Sequence, residues 1–333
     1  MTRVTRLITA TLLGALALGG CSGGDGGGQA GASASTSSAR PAGGQAGAGG
    51  TYAVITHGAP GDSFWDVVKN GAEAAGGQYG AKVTYQGDGD PAKQAQLIDQ
   101  AVSEKVDGLV ISMANPDALR ESVTKAVAAK IPVITINSGA DNSKELGAIT
   151  HVGQSEEVAG RGAGEKLRAE GVTKLLCVIH EAGNVGLDQR CNGATATLGG
   201  TVERLQVDVS NLADATSKIK AKLQADTSVN GVLTLNPAVA VAARDAIADG
   251  GSKARLATFD LSADVVDAIQ AGEILFAVDQ QQYLQGWLPI TFLYLYKNNL
   301  NTVGGGLPVN TGPGFVTKDN AAQVAKLAQG GTR

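Results

Sequence analysis

From Thr51 onward, short apolar runs rich in Val and Ile alternate with longer segments whose apolar positions recur every three or four residues. The short runs have strand length and little polar alternation, the mark of strands buried on both faces. They fall at residues 52–56, 81–85, 108–112, 132–136 and 147–150. Between them the pattern predicts helices over 63–79, from Pro91, and from Asn115-Pro116 to about Lys130. Pro91 stands at the first helical position, where its fixed φ and missing N–H cost nothing. The alternation then restarts. A helix is expected over 156–170, a strand over 174–179 and a helix after Leu187. Strands follow at 202–207, 231–235, 255–259 and 274–278, with helices from near Leu212, Pro237, Ser262 and Tyr283. Buried strands with intervening helices predict an α/β protein, and two consecutive sets predict two doubly wound parallel-sheet lobes.

The residues ahead of this pattern belong to another regime. Arg3 and Arg6 precede an apolar run over 7–18, too short to span a bilayer comfortably. Leu18-Gly19-Gly20-Cys21 then resembles a bacterial lipobox, in which the cysteine is lipidated and becomes the mature N-terminus; an ordinary secretory signal with an incidental cysteine is the alternative. Residues 22–50 are almost entirely Gly, Ser, Ala and Gln, a flexible tether with an r.m.s. span on the order of 30 Å. The expected organisation is therefore an exported, lipid-anchored body on the outer face of a bacterial membrane. Its composition is globular, with 43% apolar and 17% charged residues, and its 333 residues exceed what one core usually holds. A formal charge of −4 without basic clusters excludes a nucleic-acid surface. Cys177 and Cys191 are either a disulfide or two buried thiols; export into oxidising surroundings favours the bond.

Ligands of doubly wound sheets bind beyond the carboxyl ends of the strands. The residues there are 57–65, 112–115, 137–138, 180–190, Asn236, Asp260, and Asp279-Gln280. Polar side chains with donors and acceptors dominate, and Phe64-Trp65 stands among them in a chain only 4% aromatic. Amides, carboxylates and a guanidinium orient hydroxyls, and an aromatic face covers C–H surface; a polyhydroxylated ligand needs both. Phe64 and Trp65 point about 100° apart on a helix, so both reach a cleft only from its first turn. Asp62 and Asn236 also suit helix capping, Asp260 precedes another helix start, and Arg190 has Asp188 as a competing partner. His57, His151 and His180 all follow strands, yet no pair has metal spacing, so no metal is expected. His151 is assigned a structural role near a crossing. No cofactor is expected, and neither a nucleophile elbow nor a phosphate loop occurs, so the chain is expected not to be an enzyme.

Several segments in order give a more specific reading. Gly61-Asp62-Ser63-Phe64-Trp65 with Lys69-Asn70-Gly71, then Asp107-Gly108-Leu109-Val110-Ile111-Ser112, then 131–137, Arg190-Cys191-Asn192-Gly193, 231–236, Phe259-Asp260 and Gln280 resemble the ribose/galactose-type (type I) periplasmic binding proteins of ABC transporters, over about 52–300. The resemblance implies two lobes joined by three crossing strands, near Gly153, Asp279 and Gly314. An N-terminal lobe would hold 51–153 plus 281–314, and a C-terminal lobe 154–280 plus 315–333. It implies a monomer that clamps a sugar or sugar-like polyol by hinge closure. His57, Asp62, Phe64, Trp65, Ser112, Asn137, Arg190, Asn236, Asp260 and Gln280 would be the contacts, and a membrane permease with its ATPase the partners. The alternative is a receptor that presents its ligand to a membrane sensor kinase. The family often carries Asn-Pro before its aromatics and Asp-Arg after the fourth strand; Asp62-Ser63 and Asn137-Ser138 replace them, leaving the choice of sugar or polyol open.

Overall fold

Eight of the helices begin at a polar side chain that accepts an amide of the first turn, which is why the helical period starts where it does. Asp62, Asp90, Asn115, Ser155, Asn184, Asn211, Asn236 and Ser262 all act this way. The computed structural model describes residues 49–58 and 61–333. The expected signal segment 1–21, its Cys21, and the tether to residue 48 lie outside the described residues. Gly49 is buried and the Gly50 carbonyl accepts from the Lys82 amide at 2.8 Å, so these two residues, expected as the end of the tether, pack on the fold.

One six-stranded sheet is ordered β11-β5-β4-β3-β1-β2. Its strands are β1 (Thr51–Thr56), β2 (Lys82–Gly87), β3 (Gly108–Ser112), β4 (Val133–Ile136), β5 (Thr150–Gly153) and β11 (Val309–Asn310). Helices α1 (Ser63–Tyr79), α2 (Pro91–Ser103), α3 (Pro116–Ala128), the short α4 (Ala140–Ser143) and α10 (Gln282–Asn299) belong with it. The second sheet repeats the order as β12-β10-β9-β8-β6-β7. It is built from β6 (Lys174–Ile179), β7 (Thr201–Gln206), β8 (Gly231–Thr234), β9 (Arg255–Phe259), β10 (Phe276–Asp279) and β12 (Gly314–Thr317). Its helices are α5 (Glu156–Ala169), α6 (Val185–Leu198), α7 (Leu212–Ala225), α8 (Pro237–Gly250), α9 (Ala263–Ala271) and α11 (Ala321–Gln329).

Among the described residues all pairings are parallel except β10 with β12. The central strands β3, β4, β6, β8 and β10 are buried along nearly their whole length, whereas β2 and β7, at sheet edges, are half-exposed. Each sheet is sandwiched between two apolar clusters, as strands covered on both faces require. The chain crosses between sheets three times: after β5, after β10, and between β11 and β12. In each sheet the strand order reverses beside the first strand, between β1 and β3 and between β6 and β8, which opens a crevice at the strands' carboxyl ends.

Two strand expectations shift. The run 147–150 is a turn into β5, because Gly147 is left-handed (φ 84°) and its amide bonds back to the Lys144 carbonyl. The run 274–278 begins pairing only at Phe276. Helix α6 starts two residues ahead of Leu187, capped by Asn184. Cys177 on β6 and Cys191 on α6 are joined as a disulfide, with Cα atoms 6.1 Å apart. Helices α5 and α6 touch backbone to backbone: a methyl at Gly160 would strike the Arg190 carbonyl, and one at Gly193 the Glu157 carbonyl. That closeness sets Glu156 and Arg190 side by side.

Candidate functional site

A cavity of about 500 Å³ lies between the two sheets' strand ends. The first sheet contributes His57, after β1, and Asp62, Phe64 and Trp65, at the start of α1. Asn137 follows β4. From the second sheet come Arg190 on α6, Asn236 after β8, Asp260 after β9 and Gln280 after β10. Nine of the ten expected contacts therefore face one space. Asn137 and Asp260 adopt left-handed backbone conformations, φ 61° and 69°, which Asn and Asp tolerate better than other side chains.

Ser112 is the exception. It is fully buried, and its hydroxyl accepts the His57 amide at 2.9 Å and lies 2.7 Å from His57 Nδ1. Because β3 runs beside β1, Ser112 sits behind His57 and orients the ring instead of lining the cavity.

The aromatic residues reach the cavity because both lie in the first turn of α1. Trp65 packs edge-on against Phe64, with centroids 4.9 Å apart, and against His57, at 4.8 Å. Asp62 caps α1 through Oδ1, 3.1 Å from the Phe64 amide, while its Oδ2 receives Asn236 Nδ2 across the cleft at 3.4 Å. Asn236 likewise caps α8 with its Oδ1, 2.8 Å from the Ala238 amide. In both residues capping and cavity lining use different atoms.

The cavity floor is a chain of buried polar groups. Arg190 makes a bidentate pair with Glu156, Nε–Oε2 2.6 Å and Nη2–Oε1 3.0 Å, and stacks 4.5 Å over the Phe259 ring. Its Nη1 donates to the Leu235 carbonyl at 3.3 Å and lies 3.8 Å from Asp260 Oδ2. Asp188, the partner considered from sequence, pairs instead with Arg204 at 2.6 Å. Gln280 donates to Asp260 Oδ1 at 2.8 Å and accepts from Asn137 Nδ2 at 3.0 Å and Gln285 Nε2 at 2.8 Å. Gln154, just past the first crossing, donates to Glu156 at 2.9 Å. Two of the crossings are thus wired to the Arg190–Asp260 pair, and Asn137 ties the other lobe to it.

Further bonds close the cleft around the cavity. Ser138 Oγ donates to Asn184 Oδ1 at 3.1 Å, the Val185 amide to the Ala114 carbonyl at 3.0 Å, and Gln189 to Asp141 at 2.8 Å. His57 Nε2 lies 3.7 Å from Glu181, which also accepts from Asn184 at 2.9 Å. Reasoning from strand ends covered His180, Glu181 and Asn184, which line the cavity. It passed over 206–210, which lies at the end of β7 and answers to the same rule, and Lys218, which no sequence signal marks.

Burial sets the protonation of the site. Desolvation pushes Asp260 up to about 7 against the pull of Arg190 and the Gln280 amide, and Asp62 up to about 6 against the Phe64 amide and Asn236. Burial pulls His57 down despite Glu181, and lowers His180 to about 3 with help from Arg190 and His57. For Arg190, burial pulls downward but Glu156 outweighs it, so the guanidinium stays charged. His151, also buried and lowered to about 4 by desolvation, bonds Thr135 Oγ1 at 3.0 Å away from the cavity. Among the described residues no group of His, Cys, Asp and Glu is arranged to hold a metal ion.

These titrations fix a pH dependence. In the ligand-free fold Asp62 and Asp260 keep protons that an unfolded aspartate has already lost, so they cost stability as pH climbs from about 4 through 7. A hydroxyl donated by a ligand favours the carboxylate, so binding expels protons. Affinity is expected to rise between pH 5 and 8, about tenfold for each unit by which binding lowers either pKa. Calorimetry in buffers of different ionisation enthalpy would register the released protons; proton uptake would contradict the assignment.

A family model described as periplasmic binding protein domain matches residues 52–300. A carbohydrate transporter of Acidothermus cellulolyticus, solved in complex with myo-inositol, is 43% identical with a TM-score of 0.84, over 85% of this chain and 99% of that one. The ribose import binding protein of Bacillus subtilis is 25% identical over 68% of this chain and 74% of its own length. The xylose/arabinose-binding protein of Sulfolobus acidocaldarius is 24% identical over 69% of this chain. The match spans 61% of that relative's own length.

Proposed function

The chain belongs to the periplasmic binding protein family, and from that premise we propose that it is the substrate-binding subunit of an ABC importer for a sugar or sugar-like polyol. It captures its ligand between lobes, closes, and docks on a permease whose ATPase drives transport. The observation that carries this reading is the cavity itself. Carboxylates, amides and a guanidinium from both sheets converge on it beside the Phe64-Trp65 pair, the chemistry that hydroxyls and C–H faces need together. Both lobes contribute, so a ligand stabilises the closed state through contacts the open state lacks. The similarity to the myo-inositol-bound transporter places cyclic polyols among the first ligands to try.

The protein acts as a monomer, without chemistry on its ligand. Its lobes are residues 51–153 plus 281–314 and residues 154–280 plus 315–333, hinged at the three crossings. It is exported and held at the membrane through a lipid on Cys21. Replacing Cys21 by serine is expected to move the protein from the membrane fraction to the soluble fraction and to abolish incorporation of labelled fatty acid.

A thermal-shift series over myo-inositol, pentoses and hexoses tests the central reading. Binding to the folded state alone adds about 2.7 kcal/mol at a ligand concentration of 100 Kd, so Tm should climb with concentration for the true ligand. Asp260→Ala or Arg190→Ala should weaken binding by more than about 1 kcal/mol, the scale of a lost charge-assisted hydrogen bond. Unchanged affinity in both variants would remove the cavity from consideration.

A further inference from the structure

The charges around the cavity do not balance. Four acidic side chains face it, Asp62, Glu181, Asp208 and Asp260, against two cationic side chains, Arg190 and Lys218. Acids outside the lining already engage both cations. Glu156 holds Arg190 at 2.6 and 3.0 Å, and Asp214 holds Lys218 at 2.8 Å. His57 and His180, pulled down by burial, add no positive charge.

The carboxylates differ in how well they are met. Asp208 accepts the amide and the hydroxyl of Ser210, at 2.8 and 2.7 Å. Asp62 and Glu181 meet only neutral donors, a backbone amide and Asn236 for the first and Asn184 for the second. They stand on opposite lobes, and the charge of Glu181 adds to the upward push on Asp62. Deeper in, Asp260 is 3% exposed; one of its oxygens takes the Gln280 amide while the other stays 3.8 Å from Arg190, beyond hydrogen-bond reach. In its ionised form that second oxygen faces the cavity without a close donor and calls for one from the ligand.

Resting on the sugar or polyol reading, we infer that the cleft selects polyols by charge. It prefers those in which an ammonium replaces one hydroxyl, amino sugars or aminocyclitols, with the ammonium between Asp62 and Glu181. It accepts the neutral parents and excludes polyol phosphates and sugar acids. An anion would enter a poorly solvated space lined by four acids, of which Asp260 alone is only about half ionised at neutral pH, with no unengaged cation to receive it. An ammonium meets two acids that line one cavity from different sheets, so its extra affinity would belong to the state in which both face the ligand.

Calorimetry on the purified protein with matched sets decides this: glucose, glucosamine and glucose 6-phosphate, and myo-inositol, an aminocyclitol and an inositol monophosphate. In at least one set the amine is expected to bind about tenfold or more tighter than its neutral parent, the scale of one charge-assisted hydrogen bond. The phosphates are expected to bind at least about a hundredfold more weakly than the parents. In Glu181→Gln, which keeps the side chain's size, the amine-to-parent ratio measured within that variant should collapse toward one. Amines no tighter than parents in either set, phosphates that bind as well, or a ratio unmoved by Glu181→Gln would overturn charge selection while leaving the polyol reading intact. Failure of every neutral and amino polyol to bind would overturn both.

Discussion

Replacing Glu156 by alanine is expected to cost the fold about 3–5 kcal/mol, the usual consequence of stranding one member of a buried ion pair. The side chains of Glu156 and Arg190 are 3% and 4% exposed, so water cannot solvate whichever charge remains. Without Glu156, the guanidinium retains the Leu235 carbonyl at 3.3 Å and a distant Asp260 at 3.8 Å, too little to offset its desolvation. Arg190→Met should destabilise comparably, because it leaves Glu156 with only the Gln154 amide. The double variant Glu156→Gln/Arg190→Met removes both charges and should recover most of the loss, since well-packed neutral replacements of a buried pair are often no less stable. Its ligand affinity should stay low, because the Nη1 that faces the cavity is gone. Chemical denaturation measures the first effect and calorimetry the second. A double variant as unstable as the worse single one would show that the two residues do not act as a pair.

Glu156 also marks where the sequence stops being informative. As the first residue of a helix, it reads as an ordinary acid favoured by the helix dipole. Its partner lies 34 residues on, and only the glycine-mediated contact of α5 with α6 brings them together. The strands were legible because a run buried on both faces has no polar alternation to hide it, and the site residues because ligands gather at strand ends. Their roles were less so. Ser112 is the last residue of β3 and pairs with Ile136, one residue short of the level of Asn137, and its hydroxyl is claimed by His57 beyond the neighbouring β1. Arg190 has Asp188 close by in sequence, but the helix points them apart and each finds a different partner. Gln280 reads as one contact among several, whereas the crossing strands make it the junction of Asn137, Asp260 and Gln285. What the sequence hides in each case is which neighbour claims a polar group first, and that depends on pairings between distant segments.

Cys191 follows Arg190 directly, so the bond to Cys177 anchors the turn of α6 that presents the guanidinium to the cavity. The bond closes a loop of sequence separation 14, and the chain-entropy relation assigns such a loop about 3 kcal/mol of stability. Reduction, or the Cys177→Ala/Cys191→Ala variant, is therefore expected to lower Tm by roughly 6–12 °C at the sensitivity of a domain of some 150–250 residues. Both sulfurs lie in the fully buried core between β6 and α6, packed with Leu187, Ala194 and Leu198, so the alanines also leave a small void that adds to the loss. The effect on ligand affinity should be much smaller. Glu156 and the Phe259 ring still hold Arg190 in place, and an entropic constraint acts mainly on the unfolded chain. Denaturation with and without reductant, followed by calorimetry on the reduced protein at a temperature where it remains folded, separates the two quantities. An affinity loss as large as the stability loss would mean that the bond, and not the Glu156 pair, sets the position of Arg190. An unchanged Tm would mean that the thiols are not joined in the exported protein.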